Sequence, residues 1–174
     1  MPLTLHAALM PGWLQLLGAC RNWIDKAEAH CTDSEIAPAD LIEARLIEDM
    51  FPFKYQVKSC AVHSLGAIEG VRRGTFSPDV SEPPATFDAL RTRLDETIAA
   101  LGEVTVEEME GFFGKPLVFT IGSKFRLDFT AENFLLGFSR QNFAFHATTA
   151  YDILRSRGVG VGKGDFLGAL PIGA

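Results

Sequence analysis

The chain has 174 residues, with 16 Lys plus Arg against 22 Asp plus Glu, hence a net charge of −6. Apolar residues make up 47% and charged residues 22%, the balance of one globular domain that buries a core, which excludes disordered and fibrous proteins. A pI near 5.2 without a Lys/Arg run argues against a phosphate-backbone partner, since such binding rests on clustered positive charge. No stretch approaches the roughly 18 apolar residues of a membrane span, and no basic segment with a small-residue cleavage site opens the chain. The expectation is one cytoplasmic domain over residues 1–174, with neither membrane nor nucleic acid as partner. Cys20, Cys31 and Cys60 are odd in number and lack CxxC spacing, so free thiols are expected rather than disulfides or a zinc ribbon.

From Leu3 to His30 the residues Ala8, Leu14, Leu17, Cys20, Ile24 and Ala27 recur at helical spacing, with Thr4 placed to cap the start. Pro11 inside this helix removes one hydrogen bond, so either its first turns kink or the helix starts near Met10. Thr32, Asp33 and Ser34 break the chain. A short turn from Pro38 to Leu46 then leads to Met50-Phe51-Pro52-Phe53, an apolar knot that reads as a buried corner.

A second long helix is predicted from Lys54 to Arg73. On it Gln56, Cys60, His63, Ala67 and Gly70 fall on one stripe by steps of three and four, which points His63 inward beside Val57, Ala61, Ser64, Ile68 and Val71. The segment Gly74 to Thr86 holds three prolines and no apolar period, and extended it could span about 40 Å. The preceding helix is roughly 30 Å long, so this crossover can return along all of it and let helices two and three run parallel. A third helix follows Thr86 as N-cap, with Phe87, Leu90, Leu94, Ile98 and Leu101 at helical spacing, and ends at Gly102. Thr105 and Glu108 fit a capping box for one more turn.

Leu117, Phe119 and Ile121 alternate with polar or smaller neighbours, as do Phe125, Leu127 and Phe129, with Gly122-Ser123 between them: a hairpin. A two-residue turn would pair Ile121 with Lys124. A one-residue shift pairs Ile121 with Phe125 and Phe119 with Leu127, putting the apolar side chains on one face, and burial favours it. The last helix, Ala131 to Arg157, carries a core stripe of Phe138, Asn142, His146, Thr149 and Ile153. Phe134, Phe138, Phe143 and Phe145 cover several of its faces, which predicts a homodimer seam along part of it. The tail from Gly158 to Ala174 has six glycines and is expected to be irregular.

His63, Asn142 and His146 form the clearest constellation. Imidazoles from facing helices are what a divalent-metal site in a bundle core uses, and an i, i+4 pair presents two donors to one ion. The same residues also fit a buried polar network in which each imidazole is satisfied by a backbone carbonyl or side chain. Cys60 lies one turn before His63, the spacing of a thiol and its base, but nothing nearby supplies the positive field that activates a thiol, so an inert buried cysteine is expected. Gly162-Lys163 is not a phosphate loop. Arg157 stands where its first glycine belongs, Gly164 where its Ser or Thr belongs, and a helix rather than a strand precedes it.

The phrase Ile24-Asp25-Lys26-Ala27-Glu28-Ala29-His30, the segment Ala44-Arg45-Leu46 to Asp49-Met50-Phe51-Pro52, and the run from Asn142 to Arg155 resemble a bacterial family of unknown function within the DinB-like superfamily. The resemblance extends to Gly168. It implies an all-α four-helix bundle of DinB type, with the long crossover between helices two and three and a small β-hairpin before the last helix. Many members of that superfamily bind a divalent metal through one His on helix two and a His-x-x-x-His pair on helix four, and some transfer small thiols or open activated rings. By this resemblance His63 matches the helix-two ligand and His146 the second of the helix-four pair, while Asn142 stands where the first belongs. The implied cofactor is a divalent ion, Zn or Ni, and the implied activity is thiol transfer or hydrolysis of a small substrate. The alternative is a non-catalytic dimeric protein that binds a small molecule or partner and retains a degraded metal site.

Overall fold

The structure, a computed structural model, describes residues 3–172 and is mostly helical with one small three-stranded sheet. Helix α1 (Leu5–Asp33) starts where the Thr4 hydroxyl accepts the Ala7 N–H at 3.0 Å. Pro11 lies inside α1, so the helix begins before the proline and the Ala7 carbonyl loses its usual donor four residues on. In this first half Leu9 and Trp13 are buried, and Ala8 and Leu14 only half-buried. From Leu17 through Cys20, Ile24 and Ala27 the expected stripe faces the core. The short α2 (Pro38–Ile42) has Pro38 in its first turn.

The second long helix is two helices, α3 (Phe53–Val62) and α4 (Leu65–Arg73), broken at His63–Ser64. Ser64 causes the break chemically. Its hydroxyl donates to the Cys60 carbonyl at 2.7 Å, the acceptor that its own N–H would use in a continuous helix, and Ser64 takes φ −117°, ψ −88°. Gly74, at φ +73°, ends α4 and turns the chain directly into β1 (Thr75–Phe76). The close approach of Phe76 explains the small stripe on α4: a Cβ on Gly70 would sit 2.9 Å from Phe76 Cδ2.

The crossover is tied down along its length. Lys58 Nζ, buried on α3, donates to the Asp79 and Ser81 carbonyls at 2.9 and 2.6 Å, while Lys54 Nζ bridges Glu43 and Glu82 at 2.7 and 2.8 Å. Helix α5 (Phe87–Gly102) then starts with the Thr86 hydroxyl accepting the Ala89 N–H at 3.1 Å, and Leu90, Leu94 and Leu101 are wholly buried. In α6 (Val106–Glu110) Thr105 caps Glu108 N–H at 3.1 Å, but the Glu108 carboxylate turns away to Arg72 at 2.7 and 3.0 Å, so only half of the capping box forms.

Strands β2 (Pro116–Ile121) and β3 (Phe125–Thr130) pair antiparallel with Ile121 opposite Phe125 and Phe119 opposite Leu127, the register chosen on burial. β1 pairs parallel with β2, Phe76 beside Phe119, giving the order β1-β2-β3. Leu117 and Phe119 reach the core, whereas Ile121, Phe125 and Leu127 stay 52%, 48% and 38% exposed. The last helix is also irregular: α7 (Ala131–Asn133) passes into a π-helical segment (Phe134–Ser139), where Arg140 N–H reaches back to Leu135, and then into α8 (Arg140–Ser156). The buried residues of α8 are Phe143, Ala147, Thr149, Ala150, Ile153 and Leu154, so Thr149 and Ile153 of the expected stripe face the core while Asn142 and His146 are half-buried at its edge. Phe145 is mostly exposed, the other three phenylalanines of this stretch facing inward in whole or part. Within the glycine-rich tail, α9 (Lys163–Leu167) docks on α1: Trp23 Nε1 donates to the Asp165 carbonyl at 2.9 Å and the Trp23 and Phe166 rings stack at 5.6 Å. Residues 173 and 174 of that tail lie outside the described residues. No described helix is long and apolar enough to cross a membrane.

Candidate functional site

Two backbone irregularities meet where α3 packs on α8. The break after α3 carries His63, and the π segment ends at Ser139. The Ser139 hydroxyl donates to the His63 carbonyl at 3.1 Å and lies 3.3 Å from His63 Nδ1. Its single proton can serve the carbonyl or Nδ1 but not both; given to the carbonyl, the shorter contact, it leaves the ring N–H to donate. In that arrangement His63 carries its proton on Nδ1 and a lone pair on Nε2.

His146 reaches the same conclusion by a different route. Gln56, on α3, donates from Nε2 to the Phe51 carbonyl at 2.9 Å, which fixes its amide orientation and leaves Oε1 as acceptor. Oε1 is 2.7 Å from His146 Nδ1, so that nitrogen holds the proton and Nε2 again keeps the lone pair. Among the described residues neither Nε2 has a hydrogen-bond partner.

The two rings stack, with centroids 5.6 Å apart and planes 15° from parallel. Around them pack Phe76 and Phe138, at 5.6 and 6.1 Å from the His63 ring, and Tyr55 at 6.1 Å from His146. This apolar wall has an electrostatic consequence. Burial, with the neighbouring His146 adding to it, lowers the His63 pKa to about 3, and burial lowers that of His146 to about 4. Both imidazoles are neutral at pH 7.

Asn142 lies one turn before His146 on the same face of α8. Its Nδ2 donates to the Phe138 carbonyl at 2.8 Å, leaving Oδ1 as the polar atom still open. The structure thus brings His63 and His146 together and keeps Asn142 on their flank, partly committed to its own helix. Sequence reasoning placed Gln56 on the correct stripe without giving it the task of orienting His146, and it passed over Ser139. The only signal for Ser139 was its position three residues before Asn142.

The buried thiols stay apart from this chemistry. Cys20, Cys31 and Cys60 are free and buried, and the Cys60 thiol is pushed well up by contact with Cys20 and by burial, the opposite of an activated nucleophile. Among the described residues no three His, Cys, Asp or Glu side chains group as a metal site. A cleft of about 380 Å³ has Tyr55 in its lining and is lined by neither imidazole.

Comparison with known proteins agrees with this architecture. The chain is similar to the crystal structure of a DinB family member protein from Shewanella denitrificans, with 25% identity, 98% of this chain and 95% of that chain covered, and a TM-score of 0.80. No curated protein matches it. The model of the DUF1993 family, described as a domain of unknown function, matches residues 5–167. The chain belongs to the DUF1993 family and is a DinB-like protein.

Proposed function

We propose that the chain is a DinB-like four-helix bundle that binds one divalent transition metal ion, Zn or Ni, at His63 and His146, with Asn142 Oδ1 or water completing the set, and that it acts on a small substrate. The observation that carries this reading is the pair of adjacent neutral imidazoles, each with Nδ1 against a side-chain oxygen and Nε2 free of other side chains. Metal-binding histidines characteristically donate their other ring N–H to an oxygen, as both do here, to Ser139 and Gln56. Two imidazoles sharing an ion at about 2.1 Å hold their ring centres roughly 5 to 6 Å apart, and the observed 5.6 Å falls in that range. Neutral rings also bind a metal without first losing a proton. The donor set is nitrogen-rich with at most one amide oxygen, which suits Zn or Ni over Mg or Ca.

A divalent ion held there would supply Lewis acidity to a water or thiol of the substrate. The protein's own residues do the rest. Gln56 and Ser139 hold the two imidazoles in one tautomer, Phe76 and Phe138 exclude bulk water from His63, and the break at Ser64 frees His63 from the regular helix so that its ring can meet α8.

Metal content by mass spectrometry after chelation and reloading with Zn or Ni tests this. We expect about one ion per chain, lost in a folded His146→Ala variant and held more tightly in Asn142→His. A protein that stays metal-free at saturating Zn and Ni removes the reading and leaves the alternative, a hydrogen-bonded core in a binding protein, in its place.

A further inference from the structure

Phe51 departs from its sequence pattern. In the apolar knot Met50-Phe51-Pro52-Phe53, Phe53 is fully buried as expected, but Phe51 is 59% exposed and stacks on Tyr55 with centroids 3.9 Å apart. The exposed Phe51 ring, stacked on the half-buried Tyr55, gives the cleft an aromatic wall that an apolar ligand can cover. The cleft it borders has about 380 Å³, within the range of small-molecule sites, and its walls are mostly apolar: Phe51, Pro52, Tyr55, Val80 and Pro83.

The charges around this cleft are unevenly matched. Lys54 is neutralised twice, by Glu43 and Glu82. Arg45, on the same cleft, forms no ion pair among the described residues, and its Nη1 makes one long contact of 3.3 Å with the Glu48 carbonyl. A guanidinium presents a planar fork of donors that matches a carboxylate, and a half-buried one beside an aromatic wall is poorly satisfied by water alone. The far wall is fixed, because Lys54 and Lys58 pin the crossover segment 79–82 to α3.

We propose that this cleft binds a small organic carboxylate with a planar or branched apolar body, its carboxylate on Arg45 and its body on the Phe51–Tyr55 stack. The site needs no metal at His63 and His146, although it shares neighbours with them: the Phe51 carbonyl accepts from Gln56, and the Tyr55 ring lies 6.1 Å from that of His146.

The test is NMR titration of the full chain with phenylacetate and isovalerate, each compared with its neutral amide, reading dissociation constants. Each acid is expected to bind at least about tenfold tighter than its amide, as a charge-assisted pair gives. Arg45→Gln should erase that preference, Arg45→Lys should keep part of it, and Phe51→Ala should weaken acid and amide alike. Thermal melts confirm that each variant is folded. The proposal is overturned if neither acid binds below about 10 mM, if acid and amide bind equally, or if Arg45→Gln keeps the preference.

Discussion

Acidification of the metal-free protein should destabilise it through the two imidazoles, in a window where carboxylates contribute little. His63 and His146 titrate at about 3 and about 4 when folded, against 6.5 when unfolded. The unfolded chain therefore binds more protons than the folded one between those values, so the stability these groups contribute is complete above about pH 6.5 and falls as the pH drops toward 4. Between pH 7 and about 5.5 each group costs about 1.2 kcal/mol, and the pair about 2.5 kcal/mol. Carboxylates whose ion pairs or hydrogen bonds hold them below their usual values, such as Glu108 beside Arg72 and Asp165 beside Lys26, lose their contribution only at lower pH. The assay is chemical unfolding at both pH values, for the native chain and for His63→Asn with His146→Gln. The double variant is the reference, so that any other titrating group cancels in the difference. We expect it to be less stable at pH 7 but to lose about 2.5 kcal/mol less than the native chain on acidification. An equal loss in both proteins would refute the buried, neutral pair.

Two further substitutions probe the surroundings of the site. Gly70→Ala places a Cβ 2.9 Å from Phe76 Cδ2 and 3.3 Å from the Thr75 carbonyl, and the clash, costing about 1 to 3 kcal/mol, should outweigh the helix-propensity gain. Gly18→Ala, with nothing within 4 Å, should instead stabilise α1 by up to about 1 kcal/mol; opposite shifts in the denaturation midpoint check the contrast. Gln56→Leu strands His146 Nδ1–H and the Phe51 carbonyl, and should cost about 1 to 3 kcal/mol in the same unfolding assay.

What the sequence revealed follows the range of the forces involved. The caps at Thr4, Thr86 and Thr105 were legible because a hydroxyl bonds an N–H three residues on, and the hairpin register because a one-residue slip would have moved Leu117 and Phe119 out of the core. The break at Ser64 was not, because a serine on an apolar stripe gives no sign whether its hydroxyl will take the carbonyl four residues back. Strand β1 was hidden by its length: two residues carry no alternation, and its partner Val118 is supplied by a distant segment. Periodicity gave the last helix its buried Thr149 and Ile153, but Asn142 and His146, nearer the π segment that a regular period cannot foresee, stand half-buried at the edge of the core. For the site, helical spacing was enough to bring His63 and His146 to one interface. The tautomers were beyond it, because they depend on which atoms of Gln56 and Ser139 are already spoken for.

Nitrogen NMR of the two imidazoles, before and after adding Zn, is the most direct measurement. With both protons on Nδ1 and both lone pairs on Nε2, the metal-free spectrum should show His63 and His146 in the Nδ1–H tautomer at pH 7, and Zn should move both Nε2 signals together at one equivalent. An Nε2–H tautomer on either ring, or spectra that ignore the metal, would contradict the account.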